Sequence, residues 1–92
     1  MDIKKSLAAA FKQTRKVKRI TQEDFSEVSS RTYVSTIERG LYSPTVEKID
    51  ALAKVMNVHP LTLLTLAYLI DDSSIDFKKL SNQINEELSG LN

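Results

Sequence analysis

Only two glycines and two prolines interrupt these 92 residues. Between them, apolar residues recur at steps of three and four, with no β-branched alternation. That period belongs to the α-helix, and a chain with so few breakers has few places to turn. The spacing predicts an all-α protein of six helices: a five-helix domain over residues 1–70 and a C-terminal sixth helix within 71–92.

Helix 1 is expected over Ile3–Lys18, with Ile3, Leu7, Ala10, Phe11, Thr14 and Val17 inward. Helix 2 is expected to start behind Thr21 as N-cap, with Asp24 completing a capping box and Phe25 and Val28 inward. Helix 3 should run from Arg31 to Glu38 behind Ser30, with Val34 and Ile37 in the core. Gly40 follows as the residue free to turn left-handed. Helix 4 is expected over Thr45–Met56, with Val46, Ile49, Leu52, Ala53 and Met56 inward. Helix 5 opens at Pro60, a favoured first position, and continues to Ile70. Helix 6 is expected over Ile75–Leu88, where Phe77, Leu80, Ile84 and Leu88, continued by Leu91, form a narrow stripe.

Composition excludes several function classes. No cysteine is present, so neither a disulfide framework nor a thiolate metal site is open to the chain. His59 is the lone histidine; it precedes Pro60 and is expected to cap helix 5, not to hold a metal. No glycine-rich phosphate loop or nucleophile motif occurs, which argues against an enzyme and against a cofactor. The longest apolar run, Leu61 to Ile70, is broken by Thr62 and Thr65 and is too short for a bilayer. With no signal-peptide pattern, a cytoplasmic protein is the expectation.

Net charge is only +1, but it is unevenly spread. Residues 1–19 carry seven Lys or Arg against one Asp; residues 71–92 carry two Lys against five Asp or Glu. A basic end and an acidic end suggest one face turned to phosphate and one turned away, as well as the plainer reading of a solvated basic helix.

Helices 2 and 3 are short and joined by a tight turn, the layout of a helix-turn-helix. With Val34 and Ile37 buried, helix 3 would expose Arg31, Thr32, Ser35 and Thr36. Arginine can pair bidentately with a guanine edge, and threonine offers a hydroxyl and a methyl to thymine. Gln22, at the start of helix 2, suits a phosphate contact. The Tyr33 hydroxyl either reaches phosphate or covers a neighbouring helix. Arg39 and Ser43 complete the expected DNA contacts. Arg15 and Glu38 are the expected internal ion pair.

Several features together resemble the XRE family of phage-repressor (Cro/cI) type regulators, over roughly residues 3–68. They are Leu7, Phe11 and Arg15; Thr21-Gln22-Glu23; the run from Tyr33 to Ile37-Glu38-Arg39-Gly40; and Pro44-Thr45-Val46 leading into Leu52-Ala53. The Arg31-Thr32-Tyr33 start of helix 3 is also similar to controller proteins of restriction–modification systems. The resemblance implies that Gln22 touches phosphate or base, that Arg31, Thr32 and Thr36 read bases, and that Arg15 and Glu38 form the structural ion pair. It implies a transcription regulator, a repressor, acting on double-stranded DNA.

Three departures stand out. The turn Val28-Ser29-Ser30 lacks the family's glycine and apolar residue. Arg19 stands where a left-handed glycine usually ends helix 1. Leu41-Tyr42 replaces a polar or basic loop.

One recognition helix reads only about four to five base pairs, so two copies on a palindrome are expected. Helix 5 is apolar nearly all round, which requires cover on every side. The expected dimer surface is Leu63, Leu66, Tyr68, Leu69, Ile70, Phe77, Leu80, Ile84 and Leu88; the alternative is that helix 6 folds back and closes the core of a monomer. An antitoxin that neutralises a toxin through this region, or a module that binds only protein, are the rival readings. A toxin or polymerase partner remains open on sequence alone.

Overall fold

The computed structural model describes residues 2–92. Its elements are α1 (Ile3–Val17), a 3-10 turn (Gln22–Phe25), α2 (Arg31–Glu38), α3 (Val46–Val55), α4 (Pro60–Asp71) and α5 (Phe77–Leu91). The six α-helices expected are therefore five. The second is a single 3-10 turn, and the C-terminal helix is the fifth. The physical reason is local. Only eight residues separate the caps Thr21 and Ser30, five of them are Ser, Asp or Glu, and helix nucleation is costly over so short a span.

Caps set the boundaries. The Asp2 carboxylate accepts the Lys4 N–H at 3.0 Å and opens α1. The Thr21 hydroxyl accepts from the Asp24 N–H at 3.3 Å while the Asp24 carboxylate accepts from the Thr21 N–H at 2.8 Å, a reciprocal capping box. Ser30 accepts the Tyr33 N–H, Thr45 the Lys48 N–H and Asp76 the Lys79 N–H. His59 Nδ1 accepts the Leu61 N–H at 3.0 Å, ahead of Pro60 at the first helical position.

Three helices stop in one way. After α1, α2 and α3 the chain turns left-handed at Arg19 (φ 59°), Gly40 (φ 72°) and Asn57 (φ 57°). The next residue's N–H then reaches back across the last turn: Ile20 to Arg15, Leu41 to Thr36 and Val58 to Ala53. Glycine adopts this geometry freely and asparagine tolerates it. Arginine does not, and Arg19 costs about 1 kcal/mol.

Leu7, Phe11, Phe25, Val34, Ile37, Leu52, Met56, Leu63 and Ala67 form one buried cluster with Ala10 and Ile49. The Phe11 and Phe25 rings meet at 5.4 Å between centroids, tying the 3-10 turn to α1. α1 packs chiefly against α4. Ser6, itself buried, donates to the Asp71 carboxylate at 3.4 Å across that contact.

Three inward expectations are corrected. Ile3 and Val17 lie at the two ends of α1, outside its buried stretch from Ser6 to Phe11, and are exposed. Val46 is 77% exposed although it shares a face with Ile49: it is the first residue of α3, at the open end of the helix. Leu63, expected on the dimer surface, is 1% exposed and fills the core of its own protomer. On α5 nothing is buried: Phe77, Ile84, Leu88 and Leu91 all stand in the open, and only Leu80 is half-covered.

Candidate nucleic-acid interface

α2 is eight residues long and sinks Val34 and Ile37 into the core. The opposite side presents Thr32, Ser35, Thr36 and Arg39 together, with Arg31 at the leading edge. The Thr36 hydroxyl donates to the Thr32 carbonyl at 2.7 Å, which leaves its lone pairs facing outward as acceptors. Arg39 is exposed, its Nε 3.4 Å from the Ser35 carbonyl. Ser43 lies on the exposed loop that follows.

The angle of α2 is held by Glu38, its last residue. Glu38 accepts from Arg15 Nε, from Arg15 Nη2 at 3.0 Å and from Gln22 Nε2 at 3.2 Å. Arg15 Nη1 donates to the Ile20 carbonyl at 2.9 Å. The two charged side chains are only 13% and 5% exposed. One carboxylate therefore joins the end of α1, the 3-10 turn and the end of α2. The hydrogen bond to Glu38 raises the Arg15 pKa further, against the opposing effect of burial.

Gln22 is thus turned inward to Glu38, not outward as its position suggests. The helix-terminus argument for a phosphate at Gln22 also weakens, because the element behind it is a four-residue turn whose capping box already uses the Thr21 and Asp24 N–H groups. Arg31 Nη1 lies 3.0 Å from Glu23 Oε1, an ion pair in which both side chains are more than two-thirds exposed. Such a pair is worth little in water and yields readily to a better partner. Arg15, Thr21, Gln22, Glu23 and Arg31 together line a polar hollow of about 380 Å³ beside the start of α2.

The Tyr33 ring packs against the loop after α2 and against α3. Its ring meets Tyr42 edge-on at 5.2 Å, and the Lys48 ammonium sits 5.1 Å from its centroid. Burial, and to a smaller degree Tyr42, lifts the phenol pKa above its usual range. The same Lys48 donates to the Val28 carbonyl at 2.7 Å. This answers the missing residues in the turn. The Phe25 carbonyl takes both the Val28 and Ser29 N–H groups, Ser30 caps α2, and Lys48 reaches over from α3 to satisfy Val28. The fit is imperfect, since Ser29 Oγ is buried with no partner. Sequence reasoning missed Lys48 and the pairing of Glu23 with Arg31. No local pattern marks Lys48, whereas an acid eight residues before Arg31, across a tight turn, was a usable signal for Glu23.

Elsewhere the chemistry is sparse. Among the described residues no three His, Cys, Asp or Glu side chains gather as a metal site, and no single helix is long and apolar enough to cross a membrane.

A family model described as helix-turn-helix matches residues 11–63, which take in the second half of α1, the 3-10 turn, α2, α3 and the first residues of α4. The chain is 36% identical over 67 residues to a control protein, C.SmaI, of Serratia marcescens, covering 71% of this chain and 80% of the relative. It is also 36% identical over 67 residues to an uncharacterized HTH-type transcriptional regulator, y4dJ, of Sinorhizobium fredii, covering 71% of this chain and 87% of the relative. No solved structure matches the chain. With Arg15 and Glu38 joined beneath an outward-facing α2, and with the match spanning more than half of the sequence, the chain belongs to the XRE family of helix-turn-helix DNA-binding regulators.

Proposed function

We propose that this chain is a homodimeric, sequence-specific transcription regulator, acting as a repressor in the cytoplasm. α2 of each protomer enters one major groove, and the two grooves lie on one side of a palindromic operator. The observation that carries the reading is the outward face of α2. Thr32, Ser35, Thr36 and Arg39 are free of the core, while the carboxylate at the helix end is locked to α1. A helix so fixed can carry short polar side chains to base edges without losing their register.

Arg31 would leave its exposed pair with Glu23 for a base edge. Arg39, Ser43 and the lysines of α1 would contact phosphate, with Gln22 assisting from behind Glu38. A protomer reads too few base pairs alone, which is why two are required. Leu66, Tyr68, Leu69, Ile70 and the stripe of α5 supply the apolar surface for the second copy. One observation favours a narrower reading as controller of a restriction–modification system: the Serratia relative is named a control protein, and α2 opens with Arg31-Thr32-Tyr33.

Selection of bound duplexes from random DNA tests the proposal. Two inverted half-sites, about 34 Å between centres or a multiple of that, are the expected result. Affinity should fall with salt at a slope reflecting roughly 6–10 phosphates per dimer. Recovery of no enriched sequence together with a flat salt response refutes DNA binding. Enrichment of a single unrepeated half-site refutes the dimer.

A further inference from the structure

α5 carries its charges the wrong way round for a helix standing alone. Lys78 and Lys79 lie in its first turn, where the helix dipole is positive; Glu86 and Glu87 lie towards its negative end. No acid in the first turn and no base in the last compensates. Asp76 is the only nearby acid, and it accepts the Lys79 N–H as the N-cap. The apolar stripe is equally unsatisfied, with Phe77 60%, Ile84 44% and Leu88 56% exposed. Between α4 and α5 lie two open apolar clefts of about 690 Å³ and 280 Å³, which share Leu61 and Thr65.

One arrangement answers both faults. We infer that α5 pairs antiparallel with α5 of a second copy, seated over the α4–α5 clefts; this rests on the homodimer reading above and gives it a geometry. The sequence fits a two-fold axis passing between Asn82 and Gln83. Phe77 and Leu88 are equidistant from that point, and so are Lys78 and Glu87, and Lys79 and Glu86. Antiparallel pairing therefore sets apolar ends on apolar ends. It brings each lysine pair beside a glutamate pair and opposes the two helix dipoles. Parallel pairing would instead place lysines on lysines and glutamates on glutamates. α5 lies wholly beyond residues 11–63, the span matched by the helix-turn-helix model, so this contact is an addition of this chain to that motif.

The test is sedimentation of the full chain at low salt, without DNA. Lys78→Glu with Lys79→Glu should raise the dimer dissociation constant roughly 10-fold or more, as four attractive contacts become repulsive. Adding Glu86→Lys and Glu87→Lys to the same chain should restore it, since complementarity returns with reversed sign. A single cysteine placed by Ile84→Cys should form a disulfide across the axis. One placed by Leu91→Cys should not, the two copies lying about 25 Å apart along the pair.

Dimerisation unchanged by the first double variant, weakening that the quadruple variant fails to reverse, or crosslinking through Leu91→Cys but not Ile84→Cys would each overturn the antiparallel contact while leaving a dimer. A wild-type chain that stays monomeric would overturn both the contact and the homodimer. DNA binding, measured separately by the selection above, can fail without touching any of these results.

Discussion

Removing Glu38 is the sharpest test of how α2 is held. In Glu38→Ala, Arg15 loses both of its bonds to the carboxylate and keeps only the Ile20 carbonyl at 2.9 Å, while the Gln22 amide loses its acceptor. Arg15 is only 13% exposed, so water cannot simply take the place of the carboxylate. Stranding one partner of a buried pair costs about 3–5 kcal/mol. Domains of this size are commonly stable by about 5–15 kcal/mol, so roughly a fifth or more of the total is at stake. In urea, with a slope of about 1–3 kcal/mol per molar, the midpoint should fall by roughly 1–5 M with the slope unchanged. Replacing both partners, as Arg15→Met with Glu38→Leu, should recover most of the loss, because a matched apolar pair avoids the desolvation of two charges. It should not recover DNA binding, since Gln22 and Ile20 remain without the guanidinium and carboxylate that they bond. A loss below about 1 kcal/mol in Glu38→Ala would refute the claim that this carboxylate joins three elements.

Other changes probe single features. Arg31→Ala should weaken binding by about 1–3 kcal/mol per half-site and relax preference at one base pair; equal weakening on every sequence, read by competition, would assign Arg31 to phosphate instead. Arg19→Gly should raise stability by about 1 kcal/mol in thermal melting by removing the strained left-handed arginine, and no gain would refute that strain. Ser29→Ala removes a buried hydroxyl without a partner and should be neutral or stabilising by up to about 1 kcal/mol; a loss beyond that would reveal a bond to Ser29.

What the sequence revealed depended on range. Caps are local chemistry, so Ser30, His59 before Pro60, Gly40 and the Thr21–Asp24 box could be read from neighbouring residues alone. So could the strain at Arg19. The Arg15–Glu38 contact spans 23 positions; opposite charges at the ends of two helices suggest it, and the family resemblance implies it, whereas periodicity does not. Lys48 was invisible because its work is done twenty residues away, on a carbonyl that any residue at position 28 would carry. Leu63 and Val46 were misassigned for a related reason. On a helix that is apolar nearly all round, or at a helix's first residue, the apolar pattern does not say which side meets the core. The inward turn of Gln22 follows from where Glu38 ends, which no pattern around residue 22 encodes.

The packing of α1 on α4 also fixes when the protein can become itself during synthesis. Arg15, which orients α2, rides on a helix whose main support is sixty residues downstream. Residues 21–40 leave the ribosome long before that support exists and cannot settle into their final angle by themselves. The frame closes only once the chain has emerged through Asp71.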